Sequence, residues 1–207
     1  PCYKRDGDCC YPYPTGGKSC RSVFMSDIAP VLISLGAELM ILNSTGQRVV
    51  EIEDFYTGDG LQPLTLGPTE MITAILIPPE SHRMECHFVK ATPRGGLEFA
   101  MVSVATALII DGPDKKCSKA RIVIGSVNTR PLRAFQAEQE IVGHKLNEAL
   151  AVKIALEVAR EVKVLPHHGY SKGYLQQLVE VHTKRSLLAL IRPPGEKATH
   201  QSEDKGV

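Results

Sequence analysis

Apolar residues recur at helical spacing shortly after the start of the chain. The positions i, i+3, i+4 and i+7 are filled by Ile28, Val31, Leu32 and Leu35. Ser26 or Asp27 can cap the first turn, and Gly36 is a typical helix end. The pattern predicts an amphipathic helix over residues 27–35, with a strand over residues 38–42 directly after it.

Stretches of β-favouring residues separated by turn residues dominate the chain up to residue 126. Residues 38–42 and 48–52 flank a turn over residues 43–46, which predicts a hairpin. Residues 71–77 predict a buried strand that ends at Pro78. Because their connections are short, the next three strands predict an antiparallel sheet; they span residues 83–91, 101–111 and 119–126.

Helical periodicity returns after the last strand and predicts helices over residues 131–141, 147–164 and 171–191. The second helix carries an apolar stripe formed by Leu150, Ile154, Val158 and Val162, and the third one formed by Tyr174, Leu178, Val181 and Leu188. Such stripes normally pack on a sheet. The predicted fold class is α+β, with an antiparallel three-stranded sheet covered by three helices in the C-terminal part.

Proline and polar residues mark the expected domain boundaries. The stretch over residues 78–82 joins two prolines to polar residues between strands, and we expect domains over residues 21–80 and 83–192 on its two sides. Residues 1–20 have almost no aliphatic side chains, so something other than apolar packing must order them. Residues 193–207 are predicted to form a disordered tail.

Composition excludes several classes of protein. Of the 207 residues, 24 are Lys or Arg and 23 are Asp or Glu, and no basic cluster indicates a nucleic-acid partner. The longest nearly apolar run, over residues 100–110, is too short to cross a bilayer. No secretory signal opens the sequence. We expect a soluble, cytoplasmic protein without a membrane partner.

Four of the six cysteines lie in the first twenty residues, at Cys2, Cys9, Cys10 and Cys20, whereas Cys86 and Cys117 fall in predicted strands. This asymmetry indicates a local site and not a disulfide framework. Spacings of 8 and 10 residues between the second, tenth and twentieth positions are wider than those of ferredoxins or zinc ribbons. On spacing alone an iron–sulfur cluster, a zinc site and ordinary free thiols all remain open.

Several stretches in a fixed order carry a resemblance to one protein family. SDIAPVLISLGA, EDFYTGDG and LTLGPTEMITAILIPP resemble the second half of the FAD-binding domain in flavoprotein subunits of the xanthine dehydrogenase and carbon monoxide dehydrogenase family. FVKATPRGGLEFAMVSVATAL and GSVNTRPLRAFQAE resemble the C-terminal domain of those subunits. The lead-in CYKRDGDCCYPYPTGGKSC is similar to the iron–sulfur insertion of the flavin subunit of 4-hydroxybenzoyl-CoA reductase.

The resemblance covers residues 22–192 and implies an electron-transferring subunit of an oxidoreductase. FAD would be its cofactor, with a 4Fe-4S cluster in the complete protein. The molybdenum cofactor and 2Fe-2S clusters would belong to partner subunits, and ferredoxin or another carrier would exchange electrons with the complex. Since the family's glycine-rich flavin loops have no counterpart here, we expect an N-terminally truncated piece that is inactive alone.

Site residues follow from the resemblance position by position. Asp27 corresponds to an acidic residue that binds the polar chain of the flavin, and Lys90 to a lysine near the polar edge of its ring. Four further positions match residues close to the flavin: Met71, Ile72, Arg94 and Glu98. Cys2, Cys10 and Cys20 would be cluster ligands, with a fourth ligand upstream and Cys9 as a spare. No arrangement of a nucleophile and a base indicates a catalytic residue.

Two alternative functions remain open. The first is the flavin subunit of a xanthine or carbon monoxide dehydrogenase-like enzyme, which would differ from the 4-hydroxybenzoyl-CoA reductase type in lacking the 4Fe-4S cluster. The second is a non-redox α+β interaction module with a structural zinc knot at its N-terminus. Metal content and flavin binding distinguish the three.

Overall fold

The computed structural model describes residue 10, residues 20–94 and residues 97–191. Cys2, which is predicted to be a cluster ligand, most of the cysteine-rich segment and the predicted tail over residues 193–207 lie outside the described residues. The helices are α1 (Ile28–Leu35), α2 (Phe135–Ile141), α3 (Glu148–Glu161) and α4 (Lys172–Ile191). The strands are β1 (Glu38–Asn43), β2 (Gly46–Glu51), β3 (Met71–Leu76), β4 (Glu85–Ala91), β5 (Val102–Asp111), β6 (Lys116–Gly125) and β7 (Leu132–Arg133). A 3-10 helix spans Pro79–Arg83.

The first part of the chain contains α1 and an antiparallel sheet with the strand order β2-β1-β3. Gly36 ends α1 at a φ of 73°, a left-handed conformation that glycine adopts without a Cβ clash. The chain reverses there and enters β1, so the predicted helix and hairpin are confirmed.

The predicted burial of β3 is wrong. Met71, Ile72 and Ile75 are 62%, 38% and 50% exposed. The reason is position, because β3 is an edge strand that pairs only with β1 in this sheet. An apolar sequence run alone does not distinguish an edge strand from a central one.

The second part of the chain forms a four-stranded antiparallel sheet with the order β4-β5-β6-β7. Helices α2, α3 and α4 bury one face of it, in a core that includes Val104, Leu108, Ile122, Ile154 and Leu175. The α+β class and the antiparallel sheet are confirmed. The fourth strand was not predicted, because its two residues pair with Val123 and Ile124 where a helix start was expected.

The fully buried face of α4 is rotated relative to the predicted stripe, although Leu178 and Leu188 of that stripe pack against the core. Tyr174 is 43% exposed, whereas Leu175, Val179 and Leu187 are fully buried. Their face also carries His182, Thr183 and Ser186, which are buried between α4 and the sheet. These polar residues interrupt the apolar periodicity, so the sequence pattern favoured the neighbouring row of residues. Among the described helices, none has the length and apolar character needed to cross a membrane.

The two parts of the chain meet through α1, which lies on the face of the second sheet opposite the other helices. Ala29 and Ile33 of α1 share a buried cluster with Ala105 of β5 and Val123 of β6. The approach is close at Gly125, where an added Cβ would lie 2.6 Å from Cγ of Pro30. Small residues on this face of β5 and β6 therefore let α1 sit directly on the sheet.

Arg121 fixes the other end of α1. Its Nη1 donates to the carbonyl oxygen of Ile33 at 3.0 Å, and a Cβ at Gly36 would lie 2.7 Å from the same nitrogen. A cation at a helix C-terminus is favoured by the helix dipole. With both ends held, the start of α1 and Asp27 lie beside β4.

The contact at Gly125 predicts a loss of stability when a methyl group is added there. Gly125→Ala places Cβ within 2.4 Å of the Ser103 hydroxyl and 2.6 Å from Cγ of Pro30. We expect the free energy of unfolding to fall by about 1–3 kcal/mol in urea titration. Gly173→Ala is the control, because nothing lies within 4 Å of the added Cβ there. Equal stability of the two variants would contradict the close packing.

We propose that residues 83–192 fold independently. The core cluster between the second sheet and α2–α4 is built entirely from residues between Ala91 and Leu187. A protein of residues 83–192 should therefore unfold in one cooperative urea transition, with reduced stability because Ala105 and Val123 lose their cover by α1. A broad transition without cooperativity would contradict the domain assignment.

Candidate functional site

A cavity of about 320 Å³ opens where the start of α1, strand β4, the β4–β5 connection and the end of β6 meet. Its walls combine charged, hydroxyl and apolar side chains: Met25, Ser26, Asp27, Lys90, Leu97, Glu98, Phe99, Ala100 and Ser126. Three of the residues expected near a flavin, Asp27, Lys90 and Glu98, are thus brought together from separate elements.

Asp27 is free to act in the cavity because Ser26 caps the helix. The hydroxyl of Ser26 accepts a hydrogen bond from the backbone N–H of Ala29 at 3.1 Å, and the Asp27 side chain makes no cap bond. The Asp27 carboxylate instead accepts from Nζ of Lys90 at 2.7 Å. Lys90 also donates to the carbonyl oxygen of Glu98 at 3.2 Å. The ion pair therefore joins α1, β4 and the β4–β5 connection.

Arg94 and Glu98 hold the two sides of the β4–β5 connection together. The Glu98 carboxylate accepts from the backbone N–H of Arg94 at 2.9 Å and from its Nε at 2.6 Å. The pKa of Glu98 is lowered, first because of the backbone hydrogen bond, so the carboxylate stays ionised. Arg94 is largely exposed and Glu98 largely covered. Their sequence-based assignment as a charged loop is consistent with this geometry, but their contact with a flavin stays a prediction.

Met71 and Ile72 are not among the residues that line this cavity. Both lie on the edge strand β3, where they pair with Leu42 and Ile41 of β1. Their partly exposed side chains offer an apolar surface. Their role toward a flavin remains a prediction.

The cavity fits one end of a flavin. An isoalloxazine ring has an apolar dimethylbenzene side and a polar pyrimidine side, and the cavity has both kinds of wall. Leu97 and Phe99 are 107% and 73% exposed and can cover apolar surface. Asp27, Lys90 and Ser126 offer an acceptor, a cation and a hydroxyl. A volume of about 320 Å³ is within the range of small-molecule sites.

The cysteines divide into two environments. Cys117 is buried in β6, and burial raises the pKa of its thiol to about 11, which makes it unreactive. Cys20 is fixed to the loop after β2, since its N–H donates to Asp59 at 3.3 Å and its carbonyl oxygen accepts from Gly60 at 3.2 Å. Within the described part of the chain, no group of three or more His, Cys, Asp or Glu side chains could hold a metal ion.

Several residues of the cavity have no sequence signal of their own. Leu97 and Phe99 lie within FVKATPRGGLEFAMVSVATAL, and Ser126 lies within GSVNTRPLRAFQAE. No local pattern indicates that the chain turns at Ser126 with a φ of 62°. The sequence allowed either Ser26 or Asp27 as the cap, and the hydrogen bond from Ala29 to Ser26 identifies Ser26, while Asp27 pairs with Lys90.

Comparisons with known protein families match nearly the whole described chain. The sequence profile described as the CO dehydrogenase flavoprotein C-terminal domain matches residues 87–190. The profile described as the FAD binding domain in molybdopterin dehydrogenase matches residues 14–80. The cavity lies at the junction of the two matched segments, with Asp27 from one and Lys90 from the other.

Two curated relatives illustrate the level of similarity. The glyceraldehyde dehydrogenase medium chain of Sulfolobus acidocaldarius is 28% identical over 83% of this chain and 59% of its own length. The carbon monoxide dehydrogenase medium chain of Afipia carboxidovorans is 30% identical over 70% of this chain and 49% of its own. The chain thus spans about half the length of the curated relatives it matches.

Solved structures of similar fold include quinoline 2-oxidoreductase from Pseudomonas putida 86, with a TM-score of 0.69 and 25% identity. Carbon monoxide dehydrogenase from Hydrogenophaga pseudoflava has a TM-score of 0.71 and 20% identity, which supports the fold alone. Each match covers 79% of this chain and 55% of the other.

Proposed function

We propose that this chain, which belongs to the CO dehydrogenase flavoprotein family, is the FAD-binding part of an electron-transferring subunit in a molybdenum hydroxylase-type oxidoreductase. The observation that carries the proposal is the cavity in which Asp27 and Lys90 meet between two matched segments. A site assembled from two segments needs both of them in their observed arrangement. The packing of α1 on the second sheet provides that arrangement.

FAD, when bound, would supply the chemistry that exchanges electron pairs with one partner and single electrons with another. Lys90 places a positive charge at the cavity wall, which favours a ligand that gains negative charge on reduction. Asp27 supplies an acceptor for a hydroxyl or N–H group of the ligand. Leu97 and Phe99 provide apolar surface that excludes water from the same space.

The ion pair between Asp27 and Lys90 allows two charged side chains to lie at a partly exposed site. The Lys90 side chain is 27% exposed and the Asp27 side chain 46% exposed, so water still reaches the pair. A ligand group that donates to Asp27 would compete with Lys90 for the carboxylate. The lysine would then offer its charge to the ligand, since its second bond goes to a neutral carbonyl of Glu98.

The finer assignment depends on the cysteines. A 4Fe-4S cluster on Cys2, Cys10 and Cys20 would make the protein similar to the flavin subunit of 4-hydroxybenzoyl-CoA reductase. Without it, a xanthine or carbon monoxide dehydrogenase-like flavin subunit is the better description. In both cases we propose partner subunits that hold the molybdenum cofactor and 2Fe-2S clusters, and ferredoxin or another carrier as the external electron partner.

Lys90→Met tests the electrostatic role of the lysine. In the full-length protein with FAD bound, loss of the positive charge should lower the two-electron reduction potential, measured by spectroelectrochemical titration. We expect a decrease on the order of 20–60 mV, because about 30 mV corresponds to 1.4 kcal/mol for two electrons.

Lys119→Met is the matched control. Lys119 also makes an ion pair with a carboxylate, that of Glu80, but it does not line the cavity. Its removal should leave the flavin potential unchanged. Equal potentials for Lys90→Met and the parent protein would place Lys90 away from the ring.

Cys10→Ser tests the cluster. In the full-length protein purified without oxygen, this change should remove the broad visible absorbance and the iron of a cluster and leave FAD content nearly intact, because Asp27 and Lys90 lie on separate elements. Cys86→Ser, a change at an exposed thiol on β4, should keep its iron. Unchanged iron content in Cys10→Ser would reject that ligand, and zinc in place of iron would favour a structural zinc site.

A further inference from the structure

Ser126 stands in a backbone conformation that serine rarely adopts. It follows Gly125 at the end of β6 and has a φ of 62°, in the left-handed region. The Cβ of an L-residue crowds the backbone in that region, so a non-glycine residue there costs energy. Glycine would make the same turn without this cost.

The position of Ser126 separates it from the other strained residues. Among the described residues, the other non-glycine residues with positive φ are Lys115 and His168, and both are exposed in turns. Ser126 is only 3% exposed. A surface turn tolerates many different side chains. A non-glycine side chain at a buried position with positive φ needs a specific explanation.

Ser126 is one of the residues that line the cavity containing Asp27 and Lys90. Its hydroxyl makes no hydrogen bond with any described residue, although the residue is buried. A hydroxyl at a cavity wall that has no partner in the described protein can donate to or accept from a bound ligand. Ser103, the strand partner of Gly125, is also buried, and its hydroxyl has no hydrogen-bond partner, so the two hydroxyls do not bond each other.

We propose that Ser126 is a further ligand-contacting residue of the flavin site, whose hydroxyl hydrogen-bonds a polar group of the bound flavin. This inference rests on the proposed function. The strain at Ser126 is then retained because the left-handed turn carries the hydroxyl at the cavity wall near Asp27 and Lys90. A glycine would keep the turn and lose the contact.

Two substitutions separate the hydroxyl from the strain. In the full-length protein, Ser126→Ala removes the hydroxyl and keeps the strained backbone, whereas Ser126→Gly removes both. FAD titration followed by fluorescence should show a dissociation constant about 3- to 10-fold higher for each variant. The flavin-free Ser126→Gly protein should melt about 2–4 °C above the parent, because the strain is relieved. The visible spectrum of the bound flavin should shift in both variants.

Lys115→Gly is the matched control, since it relieves a similar backbone conformation in a turn between β5 and β6 away from the cavity. It should raise the melting temperature and leave FAD affinity unchanged. If both Ser126 variants bind FAD like the parent, while Asp27→Asn binds it less tightly, this inference is overturned and the proposed function stands. A parent protein without FAD affinity would overturn both.

Discussion

The close packing of α1 on the second sheet is the contact on which the rest of the structure depends. It is possible because Gly125 has no side chain and because the neighbouring residues on that face, Ser103 and Ala105, are small. The distance between packed elements depends on the side chains at the contact, and small residues allow a closer approach. The contact joins two parts of the chain that have separate sheets, because residues of α1 and β1 share one buried cluster with Ala105 and Val123 of the second sheet.

This packing also determines the positions of the charged side chains in the cavity. With α1 seated on the sheet, its first turn lies beside β4, and Asp27 reaches Lys90 across 63 positions of sequence. Lys90 also donates to the Glu98 carbonyl, which connects the ion pair to the β4–β5 connection. The Arg94–Glu98 ion pair links the two sides of that connection. An exposed ion pair stabilises a protein little. We therefore expect the Asp27–Lys90 ion pair to contribute more to ligand binding than to the stability of the fold.

Secondary structure was largely predictable from local pattern, and the site was predictable only through resemblance. The start of α1, its end at Gly36 and the β1–β2 hairpin depend on interactions between residues that are close in the sequence. Such interactions can be read from a local pattern without knowledge of the tertiary structure. The exposed β3, the true buried face of α4 and the two-residue β7 were missed because each depends on what packs alongside. Ser126 was missed for the same reason, since its backbone angle and its cavity are products of tertiary structure.

A double-mutant cycle of FAD affinity tests the central claim that Asp27 and Lys90 form one flavin site. The dissociation constant would be measured for the full-length parent, Asp27→Asn, Lys90→Met and the combined variant. Because the two side chains are in contact at 2.7 Å, the account predicts a combined loss smaller than the sum of the single losses by about 1 kcal/mol or more. Losses that add within about 0.5 kcal/mol, or single variants with the affinity of the parent, would contradict it.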